Sequence, residues 1–126
     1  MHDHYKSKTC VIANGDTKSS AVELEAYECV GALIPTLTSG TLKVQVSQDA
    51  GPTPGDATFV DLFDGDGQAI CQWLTATTGG RAWAGEGCGA GASLRAMTGF
   101  RWMRFVSGTA QGADRTFTLI FKDAGY

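Results

Sequence analysis

Residues 41–49, TLKVQVSQD, decide how the chain folds. Leu42, Val44 and Val46 alternate with Thr41, Lys43, Gln45 and Ser47, so a strand here has one dry face and one wet face, because side chains on a strand point to opposite sides with period two. The same alternation recurs in RTFTLIFKD at 115–123, with Phe117, Leu119 and Phe121 against Thr116, Thr118, Ile120 and Lys122, and in AVELEAY at 21–27, with Val22 and Leu24 against Glu23 and Glu25. Half-buried strands of this kind belong to antiparallel sheets, since parallel sheets are covered on both faces and read as unbroken apolar runs.

Turn signals separate these stretches: NGD at 14–16, TSG at 38–40, DAGPTPGD at 49–56, DGDG at 64–67, TTGG at 77–80 and SGTAQGAD at 107–114. Glycine is abundant, at 17 of 126 residues against the ~9 of average usage. No long stretch holds a helical period. Short strands with frequent turns predict an all-β fold, an antiparallel β-sandwich of jelly-roll type with about eight or nine short strands. One domain is expected over residues 10–126, preceded by a flexible N-terminal arm at 1–9. The segment GGRAWAGEGCGAGAS at 79–93 carries six glycines and reads as a loop, a mobile contact arm. FRWMRF at 100–105 is partly apolar on both faces, which suits a strand covered from two sides, within the sandwich or by a neighbouring subunit.

The formal net charge of −3 argues against nucleic acid as a partner, and no apolar run reaches the ~20 residues that span a bilayer. The charge is uneven. Residues 1–66 hold four lysines against ten acids, while 67–126 hold six basic residues against three acids, an asymmetry that suits head-to-tail contact between identical subunits. The first residues lack the apolar core of a secretory signal, so synthesis and folding in a cytoplasm are expected.

Candidate chemistry is sparse. In FVDLFDGDGQAI at 59–70, Asp61, Asp64 and Asp66 stand among glycines as in a calcium loop, but no acid follows over 67–78 where an EF-hand needs its bidentate glutamate, and a hairpin turn at 64–67 is expected instead. His2 and His4 are the only histidines, so no Ser-His-Asp or Cys-His system is available inside the domain. No phosphate-cradling loop or nucleophile elbow occurs either, and no enzymatic activity, cofactor or resident metal is expected. Cys10, Cys29, Cys71 and Cys88 form no C-x-x-C pair; reduced thiols are expected, with Cys71–Cys88 or Cys10–Cys29 as the bridges an oxidising surrounding would favour. Of the three tryptophans, Trp83, beside Arg81 in the glycine-rich loop, is the one expected to meet a partner.

The stretches IANGDTKSSAVELEAYECVGALIPT, SGTLKVQVSQD, FVDLFDGDG and RWMRFVSGTAQGADRTFTLIF together resemble a group of small β-sandwich proteins encoded among the virion genes of tailed bacteriophages. The likeness runs from residue 12 to 121 and is carried by Leu42 to Asp49, Phe59 to Asp64, Arg101 to Thr109 and Arg115 to Leu119. It implies a virion structural protein assembled in the host cytoplasm, and a capsid decoration or cement protein bound to the major capsid protein on the outer shell, as a monomer or a trimer. A tail or fibre component and a carbohydrate-binding host-recognition module are the alternatives. For such a role the partner-binding residues would be His2, His4, Tyr5 and Lys6 on the arm and Arg81 and Trp83 on the loop. The cysteines, the GPTPG insertion at 51–55 and the glycine-rich loop depart from the group's pattern.

Overall fold

The structure is a computed structural model, and it describes residues 5–25, 27–38, 42–62, 81–84, 97 and 99–123. Among these, eight strands run in chain order as β1 (Tyr5–Ile12), β2 (Val22–Glu23), β3 (Tyr27–Ile34), β4 (Leu42–Ser47), β5 (Val60–Asp61), β6 (Arg81–Ala84), β7 (Trp102–Ser107) and β8 (Arg115–Asp123), with one short 3-10 turn at Asp56–Thr58. They form two four-stranded sheets, β1-β8-β3-β6 and β2-β7-β4-β5, in which every pairing is antiparallel. The all-β sandwich expected from the alternation is thus observed.

The pairing has a simple logic. β1 lies against β8, β2 against β7, β3 against β6 and β4 against β5, so the chain is one long hairpin bent at β4–β5 and wound up, and successive pairs fall alternately into the two sheets. In this winding β1, β3 and β7 end, and β2, β4 and β8 begin, at one end of the sandwich, while β2, β4 and β6 end at the other.

The dry rows found in the sequence close on each other. Leu42, Val44 and Val46 from β4 and Met103 and Phe105 from β7 face Cys10, Ile12, Phe117, Leu119 and Phe121 from the opposite sheet, and all are at most 2 % exposed. Phe105 and Phe117 stack across the gap with ring centres 4.6 Å apart and planes 21° apart. An offset aromatic pair of this kind adds about 1 kcal/mol beyond the area it buries.

Two expectations change. Residues 5–9 were assigned to a flexible arm, yet Tyr5 to Thr9 are laddered to Lys122 through Thr118; His2 and His4 lie outside the described residues. Their inward row reads Lys6, Lys8, Cys10, Ile12, polar at the rim and apolar in the core. The lysines' alkyl stems reach inward and their ammonium groups sit over the rings of Tyr27 (4.8 Å) and Phe121 (5.8 Å), so a strand that looks too charged to pack still covers the sheet end. Likewise Arg81–Ala84, expected in a loop, is an edge strand paired with Gly31–Ile34. Glycine flanks it on both sides but spares these four residues, which is enough for a short edge strand.

Candidate functional site

The two sheets treat their outer faces differently, and this difference locates the surface that remains available. On the β2-β7-β4-β5 sheet the outward residues Trp102 and Arg104 are roofed by the segment 48–59, which carries the GPTPG insertion, while Lys43 and Gln45 stay partly exposed beside Asp61. Asp49 holds that segment in shape: its carboxylate accepts from Gly51 N at 2.9 Å and Gly55 N at 2.8 Å, while its carbonyl accepts from Trp102 Nε1 at 3.0 Å. Those two amide donors, Gly55 first, keep the Asp49 carboxyl below the usual range. Farther along, Asp56 accepts from Arg104 Nη1 at 2.5 Å and pairs with Lys18 at 3.3 Å, and the Phe59 ring lies 4.1 Å under the Arg104 guanidinium.

Arg104 is 7 % exposed. Its charge is met by Asp56, by Gln45 Oε1 at 2.8 Å from Nε, and by the Phe59 ring, as a buried cation requires. Gln45 in turn donates to Asp61 Oδ1 at 2.9 Å, and Lys43 reaches Asp61 Oδ2 at 2.9 Å. Hydrogen bonds from Gln45, then Lys43, hold the Asp61 carboxyl low, and Arg104 does the same for Asp56. The double cover expected for FRWMRF is therefore supplied by the chain itself: the core on one side and the 48–59 segment on the other.

The β1-β8-β3-β6 sheet has no such roof among the described residues. Its outer rows, fixed by register, are Tyr5–Lys122–Glu28, Ser7–Ile120–Gly31, Thr9–Thr118–Leu33 and Val11–Thr116. Tyr5 is 59 % and Leu33 52 % exposed. Among the described residues, aliphatic and hydroxyl side chains dominate this face, with charge only at the Lys122–Glu28 row.

At the end where β2, β4 and β7 meet the connections, a shallow open cleft of about 460 Å³ is lined by Glu23, Glu25, Gln48, Gly99, Phe100 and Arg101. Arg101 Nη2 stands 3.6 Å from Glu23 Oε2, and Glu25 takes both Lys8 and, at 3.4 Å, Lys6. The bond from Lys8 is the main reason the Glu25 carboxyl titrates low. Glu25 has φ of +54°, the left-handed region that a residue with a Cβ rarely enters.

Placed on this frame, the residues expected to bind partners scatter. Tyr5 and Lys6 stand on β1, Tyr5 on the outer face and Lys6 on the inner rim. Arg81 and Trp83 stand on β6 in register with Ile34 and Ala32, both core positions. They are not brought together with Tyr5 into one patch, because β8 and β3 lie between β1 and β6. Leu33 and the cleft residues were not singled out from the sequence. Leu33 sits in ECVGALIPT, where a bulge between Cys29 and Gly31 shifts the alternation and hides which face each residue takes.

Cys10 and Cys29 are buried in the core, and Cys29 Sγ donates to Gly31 O at 3.5 Å. A bridge between them is ruled out by register. Cys10 is opposite Phe117 and Cys29 opposite Phe121, on either side of β8, so their Cα atoms are about 16 Å apart against the ~6 Å of a disulfide. Burial pushes the Cys10 thiol up to about 11. Cys71 and Cys88, the hairpin expected at 64–67, and Asp64 and Asp66 fall outside the described residues. Among the described residues no cluster of three metal-ligating side chains occurs and no helix is long and apolar enough to cross a membrane.

No protein-family model matches the sequence, and no curated protein is similar to it. Among solved structures, the fold is similar to that of the SPBc2 prophage-derived protein YomS, with a TM-score of 0.50 and 11 % identity over 97 % of both chains. At that identity the likeness concerns the fold, and it extends over the whole wound sandwich.

Proposed function

We propose that this protein is a non-enzymatic structural subunit of a tailed-phage particle, a capsid decoration protein that seats the outer face of its β1-β8-β3-β6 sheet on the major capsid protein. The observation that carries the reading is the asymmetry of the two outer faces: on one, Trp102 and Arg104 are covered by the chain's own 48–59 segment and the exposed apolar residue of that sheet, Val60, lies on its edge strand; the other leaves Tyr5 and Leu33 more than half exposed among threonines. Exposed apolar area with few charges is the composition of an interface centre. The phage-like motifs add to this. Within them Arg104 pins the roof, and Ser107 donates to Thr109 O at 2.6 Å, so they build the fold and leave the binding to other residues. The fold neighbour's prophage origin points the same way.

Quantitative mass spectrometry of purified virions tests the reading. A decoration subunit is expected in hundreds of copies per particle, about as many as the capsid lattice offers, where repeated weak contacts accumulate. A handful of copies would place it in the tail, and none would remove it from the particle.

A further inference from the structure

The cleft at the β2–β3 end is independent of the sheet face proposed for docking, and its chemistry points elsewhere. Its volume of about 460 Å³ falls within the ~300–1,000 Å³ of small-molecule sites. Both carboxylates lining it are already matched by cations, Glu23 by Arg101 and Glu25 by Lys6 and Lys8. Two carboxylates stand against three cations, a net of +1 that disfavours a bare metal ion, and each of the three cations is already engaged by a carboxylate.

What the cleft does offer is unused hydrogen-bonding capacity in planar forks. A carboxylate accepts about four hydrogen bonds and a guanidinium donates five, so the single pair at 3.6 Å leaves most sites on Glu23 and Arg101 open. Gln48 is fixed as a strut: its Oε1 accepts from Arg101 N at 2.5 Å and its Nε2 donates to Gly99 O at 3.4 Å, leaving a second Nε2 hydrogen to give. Phe100, half-buried against the core, supplies an aromatic surface between these groups. Glu25 is held at φ of +54° at the opposite rim, a conformation that a glycine or asparagine would adopt at lower cost. Forked donors and acceptors beside an aromatic ring, in an open cleft whose charged groups are paired with one another, match vicinal hydroxyl groups on one edge of a pyranose and the C–H face of its ring.

We propose that this cleft binds an uncharged saccharide, one or two pyranose units of a larger glycan. The polar edge of the sugar meets Glu23, Arg101 and Gln48, and its apolar face meets Phe100. Binding of this kind depends little on ionic strength, unlike capture of an ion.

Isotope-edited NMR with methyl glycosides of glucose, galactose, mannose and N-acetylglucosamine, followed by their disaccharides, tests the proposal. At least one probe is expected to bind at about millimolar Kd, the weak end of the affinity scale, with shifts confined to 23–25, 48–50 and 99–101 and unchanged between low and high salt. Glu23→Gln and Arg101→Ala should each weaken that binding tenfold or more with the thermal midpoint preserved, and Phe100→Leu, which keeps apolar volume, should do the same. Silence across the panel, shifts at other residues, binding unaffected by the three substitutions, or preferential binding of calcium or inorganic phosphate at these residues would each overturn it. The docking reading is judged separately by virion copy number, so either can fail alone.

Discussion

Arg104 carries a charge into a buried position, and it is stable there because Gln45, Asp56 and the Phe59 ring meet it together. Removing it by Arg104→Ala takes away the pin of the 48–59 segment and exposes Phe59, and should cost about 2–3 kcal/mol in urea unfolding, somewhat below the ~3–5 of a fully enclosed pair because Asp56 faces solvent. Gln111 makes a similar case without charge. It is 1 % exposed; its Oε1 accepts from Thr38 N at 2.8 Å and Arg115 Nε at 3.2 Å, and its Nε2 donates to Thr109 O at 3.0 Å. Gln111→Ala would leave the Thr38 amide without its acceptor, and a loss of about 1–3 kcal/mol is expected. Acid should act on the carboxylates together. Asp49, Asp56, Asp61 and Glu25 all have pKa values lowered in the folded state, so the unfolded chain binds more protons in acid. Their contribution is complete above the ordinary carboxylate range near pH 4 and drains away as the pH falls through the lowered values. The urea midpoint is expected to be flat from pH 7 to 5 and to drop below 4, and a midpoint that rises in acid would contradict these ion pairs.

Strand β1 shows where sequence reading succeeds and where it stops. β4 and β8 were legible because one side of each is apolar from end to end, so period two declares the face. β1 conceals the same geometry, since Lys6 and Lys8 continue the row of Cys10 and Ile12, and only the register with Phe121 and Leu119 reveals that the lysines cover the core. β6 was hidden by its glycine surroundings, and β2 was overestimated because Glu25 leaves the strand in a left-handed turn. The roof over Trp102 and Arg104 was half legible: a doubly covered strand was evident from FRWMRF, but nothing local told that residues 48–59, rather than another subunit, provide the second cover. The cleft was illegible for a plainer reason, since it joins residues 23–25, 48 and 99–101, which only the winding of the hairpin brings together. Deleting residues 1–9 measures what β1 contributes. It removes the pairs from Tyr5↔Lys122 to Thr9↔Thr118 and uncovers the Phe121 end of the core, so a large drop in the thermal midpoint is expected, whereas deleting only residues 1–4 should leave it nearly unchanged.

On the scale of the molecule, the proposed docking would turn the outer face of the β1-β8-β3-β6 sheet toward the particle. Leu33→Asp places a charge at the centre of the bare face without touching the core, so stability should move by less than about 0.5 kcal/mol while retention on particles, measured by co-sedimentation, falls sharply. Equal retention would move the docking surface elsewhere. The pairing of β1 with β8 has a further consequence for how the subunit comes into being. Tyr5, where β1 begins, has its partner at Lys122, and the two dry faces cannot shut until β8 is available. A ribosome-bound chain is therefore kept incomplete until β8 has emerged, and folding must wait for strands that are far apart in the sequence, which makes it slow. Chains interrupted before β8 would leave Ile12, Cys10 and the Phe105 ring open to proteases, so only copies that carry this strand would persist.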